Sequence, residues 1–192
     1  MSDAPNTWEL RYREGQTGWQ REDVSRALLT WLADGTLQPC RILVPGAGRS
    51  HEPLHLAQAG FQVTTLDIAP TAVAHQRAAL AARGGIALEG DVLSFPAGQP
   101  FDAIYEQTCL CALPPVQRAA YAGQLHSWLR PGGVLAALFL QTGREGGPPF
   151  HCPVPDMQTL LPQATWRWPD RSWPEVRHQD GLFEIPLALT RR

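Results

Sequence analysis

The chain has 192 residues with 44% hydrophobic and 18% charged side chains, a size and balance that suit one compact domain spanning 1–192. Net charge is −2, and the 16 basic residues are all arginine and scattered along the chain, which disfavours nucleic acid and anionic membrane as partners. No apolar run approaches the roughly 18 residues of a spanning helix, and MSDAPNTWEL lacks the basic and apolar regions of a signal peptide, so the expectation is a cytoplasmic protein.

In chain order, Val24, Ala27, Leu28, Trp31 and Leu32 recur at helical spacing within 21–34 and stop at Gly35. RILVP (41–45) reads as a buried strand breaking into Gly46-Ala47-Gly48, followed by a helical stretch over 51–59 that ends at Gly60. FQVTTLD (61–67) is a second strand ending in an acid, and Pro70-Thr71 opens a helix carrying Ala72, Val73, Gln76, Leu80 and Ala81. IALEGD (86–91) and FDAIYE (101–106) read as further strands, 115–129 as a helix, and VLAALFLQ (134–141) as a fifth strand. GLFEIPLALTRR adds a last strand, antiparallel at or near an edge. The 18 prolines and 17 glycines mark many turns, and their crowding after Gly143 predicts a loop-rich C-terminal quarter. Strand–helix alternation of this kind builds a doubly wound α/β fold with a mostly parallel sheet and helices on both faces.

Ligands of such sheets bind beyond the carboxyl ends of the strands, so the strand-ending residues carry the functional reading. Gly46 and Gly48 let the backbone turn and approach a ligand closely. His51 stands where a dinucleotide fingerprint wants its third glycine, and no phosphate-binding GxxxxGK[ST] loop is present, which disfavours pyrophosphate cofactors. Asp67, about 20 residues past the glycines, is placed to accept from both hydroxyls of a ribose, and Asp91-Val92 to address the edge of an adenine. Together they point to adenosine without pyrophosphate; the plain alternative is that both carboxylates cap the following helices. Trp8, Tyr12 and Trp19 either lie across the ligand edge, where aromatic faces attract a sulfonium, or cover exposed core. Cys40, Cys109, Cys111 and Cys152 lack metal-site spacing and read as buried free thiols, so no metal is expected. The six histidines come with no nucleophile elbow.

ILVPGAGRSHEPLHLAQAGFQVTTLDIAPTAV, EGDVLSF, FDAIYEQTCLCALPP and LRPGG resemble a class I S-adenosylmethionine-dependent methyltransferase. Trp8-x3-Tyr12-x2-Gly15-x-Thr17-x-Trp19, VPGAGRS, Cys111-Ala112-Leu113-Pro114 and Gly146-Gly147-Pro148-Pro149-Phe150 resemble the thiopurine methyltransferase family, nearest its thiol and halide/thiocyanate branch. The resemblance implies a Rossmann-like, seven-stranded sheet with the last strand antiparallel, S-adenosylmethionine as cofactor and S-adenosylhomocysteine as product. It implies cofactor contacts from Trp8, Tyr12, Trp19, Gly46, Ala47, Gly48, Asp67, Ile68, Asp91, Val92, Glu106 and Gln107, with residues 1–20 an arm closing over the cofactor. Trp19, Phe139 and Phe150 are the acceptor-binding residues it implies, in a monomer or weak dimer. Gln107 stands where thiopurine enzymes carry arginine and halide enzymes tyrosine, and Phe139 where the halide branch carries tyrosine.

The expected activity is therefore methyl transfer to a small thiol or other soft nucleophile, with Glu106 the one candidate base. Two other functions fit the same residues: an O- or N-methyltransferase of small aromatic metabolites, and a non-catalytic nucleoside-binding protein.

Overall fold

The computed structural model describes residues 4–178 and 180–192, with side chains from residue 7 onward. Helix α1 (Ala4–Arg13) leads to α2 (Arg26–Ala33), then β1 (Arg41–Pro45), α3 (Glu52–Gln58), β2 (Gln62–Asp67), α4 (Pro70–Leu80) and β3 (Ile86–Glu89). After β4 (Phe101–Gln107) come α5 (Arg118–Trp128), β5 (Leu129–Gln141), α6 (Val154–Leu160), β6 (Trp166–Arg167), β7 (Val176–Arg177) and β8 (Phe183–Arg191).

The strands form one sheet in the order β3-β2-β1-β4-β5-β8-β6, with the two-residue β7 also pairing β8. Strands β1 to β5 run parallel and β8 antiparallel to β5, as the sequence leads one to expect. The path has the expected seven strands, and β7 is an unanticipated eighth. Pro186 is accommodated because β7 pairs only Phe183 and Glu184, and β6 only Thr190 and Arg191. Between those short partners the outer side of β8 has no ladder for a missing N–H to break.

Period-2 alternation sorts the core onto two faces. Leu43, Leu66 and Ile104 join Leu125 and Trp128 of α5 on one side, while Ile42, Val44 and Tyr105 join Trp31 of α2 and Leu56 of α3 on the other. Helix α2 starts at Arg26 rather than residue 21 because Ser25 caps it, its hydroxyl accepting the Ala27 N–H at 3.3 Å. The expected helix over 115–129 opens as a single 3₁₀ turn before α5 begins at Arg118. The C-terminal quarter is less irregular than its composition suggests, since α6, β6 and β7 all fall within it.

Trp31 anchors the α2 face, fully buried with edge-to-face contacts to Tyr105 at 6.2 Å and Trp173 at 6.0 Å. Trp31→Ala removes this indole from a closed core and is expected to lower unfolding free energy by about 3–5 kcal/mol in urea titrations.

Candidate active site

Order reverses at β1, whose neighbours are β2 and β4, and the loops leaving β1 and β4 therefore diverge. A cavity of about 300 Å³ opens there. Its walls bring together Trp8, Tyr12, Trp19, Gly46, Asp67, Ile68, Asp91, Val92 and Phe150, nine of the residues the sequence singles out. A smaller cavity of about 50 Å³ adjoins it, lined by Gly46 to Ser50, Gln107 and Glu52 among others, and so takes in Ala47, Gly48 and Gln107.

The loop after β1 turns on its two glycines. Gly46 has φ +58° and Gly48 φ +53°, a region where a side chain is strained. A Cβ on Gly46 would lie 2.7 Å from Cys109 Sγ, and one on Gly48 2.7 Å from Tyr12 Oη, so both glycines make room as well as a turn. Asp67 fastens this loop: one carboxylate oxygen accepts the Gly48 N–H at 2.8 Å and the other the Ala69 N–H at 2.9 Å. Burial raises its pKa against the pull of those N–H groups. Gln76 of α4 completes the clamp, donating to the carbonyls of Gly48 and Ser50, both at 3.0 Å. Two residues beyond the end of β3, which stops at Glu89 short of the expected Asp91, Asp91 accepts the Leu93 N–H at 2.9 Å and also lines the cavity. For both acids, therefore, local capping and a place in the cavity wall coexist.

Helix α1 contributes Trp8, Arg11 and Tyr12 to the wall of the larger cavity. Trp19 packs edge-on against Trp8 at 5.3 Å and against Tyr12 at 5.7 Å. The Arg49 guanidinium sits over the Tyr12 ring at 5.2 Å, and burial together with the Asp67 charge pushes the Tyr12 phenol up to about 12. Glu9 docks the helix. Its carboxylate accepts the Thr71 N–H at 2.9 Å and the Thr71 hydroxyl at 2.8 Å, which supplies the cap that Ala69 cannot give α4. Those two hydrogen bonds lower the Glu9 pKa.

Three expected residues sit differently. Phe139 is 1% exposed and packs in the core against the Trp168 ring at 6.1 Å, so it is a packing residue and lines neither cavity. Glu106, also 1% exposed, turns away from both cavities and accepts the Leu110 N–H at 2.7 Å, which shapes the turn after β4 rather than meeting a ligand. Gln107 borders only the smaller cavity, its amide held between the Tyr105 hydroxyl at 2.8 Å and Glu184 at 2.9 Å. The sequence reading missed Glu9, Arg21, Glu52 and Thr108. Thr108, in the left-handed region at φ +62° without being glycine, lines both cavities, and such strain gathers at ligand sites.

The profile of the family described as Thiopurine S-methyltransferase (TPMT) matches residues 3–180. A thiopurine S-methyltransferase of Pseudomonas putida (strain GB-1) is 31% identical over 199 residues, covering 93% of this chain and 91% of that protein. A probable thiol methyltransferase 2 of Arabidopsis thaliana is 29% identical over 159 residues, covering 80% and 70%. Among solved structures, the 1,6-didemethyltoxoflavin-N1-methyltransferase of Burkholderia thailandensis superposes with a TM-score of 0.73 at 20% identity, covering 98% of this chain and 87% of that one, which shows the shared fold.

Burial, with the Glu184 charge second to it, raises the Glu106 carboxyl from 4.5 to about 7, while the Leu110 N–H and Arg118 oppose the shift. Between about pH 4.5 and 7 the folded chain holds a proton here that the unfolded chain has lost, so this group's contribution to stability falls as pH rises through that window. Glu106→Gln keeps an acceptor for Leu110 and cannot titrate. Urea midpoints at pH 5 and pH 8 are expected to show wild type losing stability relative to the variant at the higher pH.

Proposed function

The chain belongs to the thiopurine S-methyltransferase family and is an S-adenosylmethionine-dependent methyltransferase of small molecules, and we propose that its acceptor is a thiol or a similarly soft nucleophile. The observation that carries this reading is the cavity at the β1/β4 switch point, whose walls hold Asp67 and Asp91 together with three edge-packed aromatic rings. The residues present fit the cofactor: a glycine loop free of side chains at Gly46 and Gly48 and two carboxylates, Asp67 and Asp91, stand in the walls of adjoining cavities.

In this reading Asp67 holds the ribose hydroxyls, Asp91 with Val92 the adenine edge, and Gly46 to Gly48 pass beneath the remainder. Ile68 adds apolar contact. The cofactor supplies an electrophilic methyl group on a sulfonium. Trp8, Tyr12 and Trp19 offer π-faces to positive charge and exclude water. When a thiolate attacks, an anion and a cation become two neutral products, a change favoured where water is excluded. Leu113, Pro148, Phe150 and Trp19 give the large cavity an apolar wall suited to that role. A thiol ionises near pH 8.5 without help, so the reaction asks for no buried base, in keeping with the position of Glu106 away from the cavity.

The same reading treats 1–192 as one domain with 1–20 as an arm over the cofactor, acting in the cytoplasm as a monomer or weak dimer on small molecules rather than nucleic acid. Support comes from the docking of α1 through Glu9 and from the small net negative charge. No helix among the described residues is long and apolar enough to cross a membrane.

Incubation with S-adenosylmethionine and a panel of aliphatic and aromatic thiols is expected to give methyl thioethers and S-adenosylhomocysteine in equal amounts. Shape-matched phenols and amines are expected to give neither, and their preferential methylation would overturn the thiol assignment. Asp67→Ala is expected to weaken S-adenosylhomocysteine binding by about 2–4 kcal/mol in calorimetry, through loss of charge-assisted bonds to the ribose.

A further inference from the structure

The two cavities meet along a shared wall, because Trp19, Gly46 and Thr108 line both. They differ in character. The larger is mostly apolar and carries Asp67 and Asp91, whereas the smaller, about 50 Å³, has two arginines, Arg21 and Arg49, and the buried acid Glu52 in its walls. Too small for a ring system, it suits a compact head group with both signs of charge.

The charged groups of the smaller cavity are not equally free. Arg49 lies over the Tyr12 ring, and one Glu52 oxygen accepts the Ser25 N–H at 2.9 Å. Arg21 stands out, since its Nε is buried with no hydrogen-bond partner among the described residues. A guanidinium N–H withdrawn from water without an acceptor is costly unless a ligand satisfies it. Arg21 follows directly on Trp19 and Gln20, so it enters the cavity from the same N-terminal segment that closes the larger one.

We propose that Arg21 binds the carboxylate of the cofactor's amino-acid end, opposite Glu52, and so makes the enzyme selective for the complete cofactor over adenosyl thioethers that lack that end. The proposal rests on the methyltransferase reading above. A planar guanidinium with a vacant N–H matches a carboxylate in charge and geometry, and Glu52 gives the neighbouring ammonium an anionic wall. Bound so, the cofactor would pass from one cavity to the other beside Trp19, Gly46 and Thr108, the residues that line both. Carboxylate binding thereby couples cofactor identity to the position of the arm.

Calorimetry with two ligands tests this. S-adenosylhomocysteine carries the amino-acid end; 5′-methylthioadenosine keeps the adenosyl thioether and lacks it. Arg21→Met is expected to weaken S-adenosylhomocysteine at least tenfold and to leave 5′-methylthioadenosine within twofold of wild type, with Arg21→Lys retaining most of the affinity. Equal weakening of both ligands, or no weakening of either, would overturn the role of Arg21 while leaving the methyltransferase reading intact. Failure of wild type to bind either ligand would overturn that reading and the proposal with it.

Discussion

The site hangs on one buried carboxylate. Asp67 bridges the Gly48 N–H of the β1 loop and the Ala69 N–H before α4, so a single side chain fixes the relative position of two strand ends and a helix start. Burial alone disfavours its charge, and those backbone donors are what oppose that penalty. Gln76 acts from the other side on the carbonyls of Gly48 and Ser50. With both N–H and C=O of the loop engaged, Gly48 keeps a left-handed conformation, and the absence of its Cβ is what lets the Tyr12 hydroxyl come so close.

That close approach ties the arm to the sheet. The Tyr12 hydroxyl occupies the space a Gly48 side chain would need, Arg49 covers its ring, and Trp19 packs edge-on against it with Trp8 edge-on against Trp19 in turn. The aromatic contacts set the arm's shape, while Glu9 sets its register on α4 through two hydrogen bonds to Thr71. Since Ala69 and Pro70 leave the first turn of α4 without a side-chain cap, the helix gains from the arm as much as the arm gains from it.

Legibility in the sequence followed the range of the interactions. The strand ends at Gly46, Asp67 and Asp91 could be read because local alternation and glycine placement specify them. Phe139 could not be oriented, because β5 is buried on both faces and its alternation carries no polar marker for which side meets the ligand. Helix α6 hid in a proline-rich stretch, though Pro155 sits in its first turn, where proline is compatible with a helix. Glu9 and Arg21 look like ordinary surface charges in sequence. Their roles depend on Thr71 and on the smaller cavity, which only the folded chain brings to them.

The end of β4 shows how a perturbed acid and a functional one are told apart. Glu106 carries the raised pKa, yet it faces the turn it stabilises, whereas its neighbour Gln107 faces the smaller cavity and cannot titrate at all. Gln107 is held at both ends, accepting from Tyr105 and donating to Glu184, which His178 approaches at 3.2 Å from the other side. An arginine at this position would pair with the buried Glu184 and bring fixed positive charge to the cavity wall. The amide instead adds no charge to that wall, and Glu184 has only His178 as a potential cationic partner among its hydrogen-bonded neighbours. Gln107 therefore leaves the charge of the smaller cavity to Arg21, Arg49 and Glu52, and an amide fixed at both ends shapes that wall without adding a third cation to it.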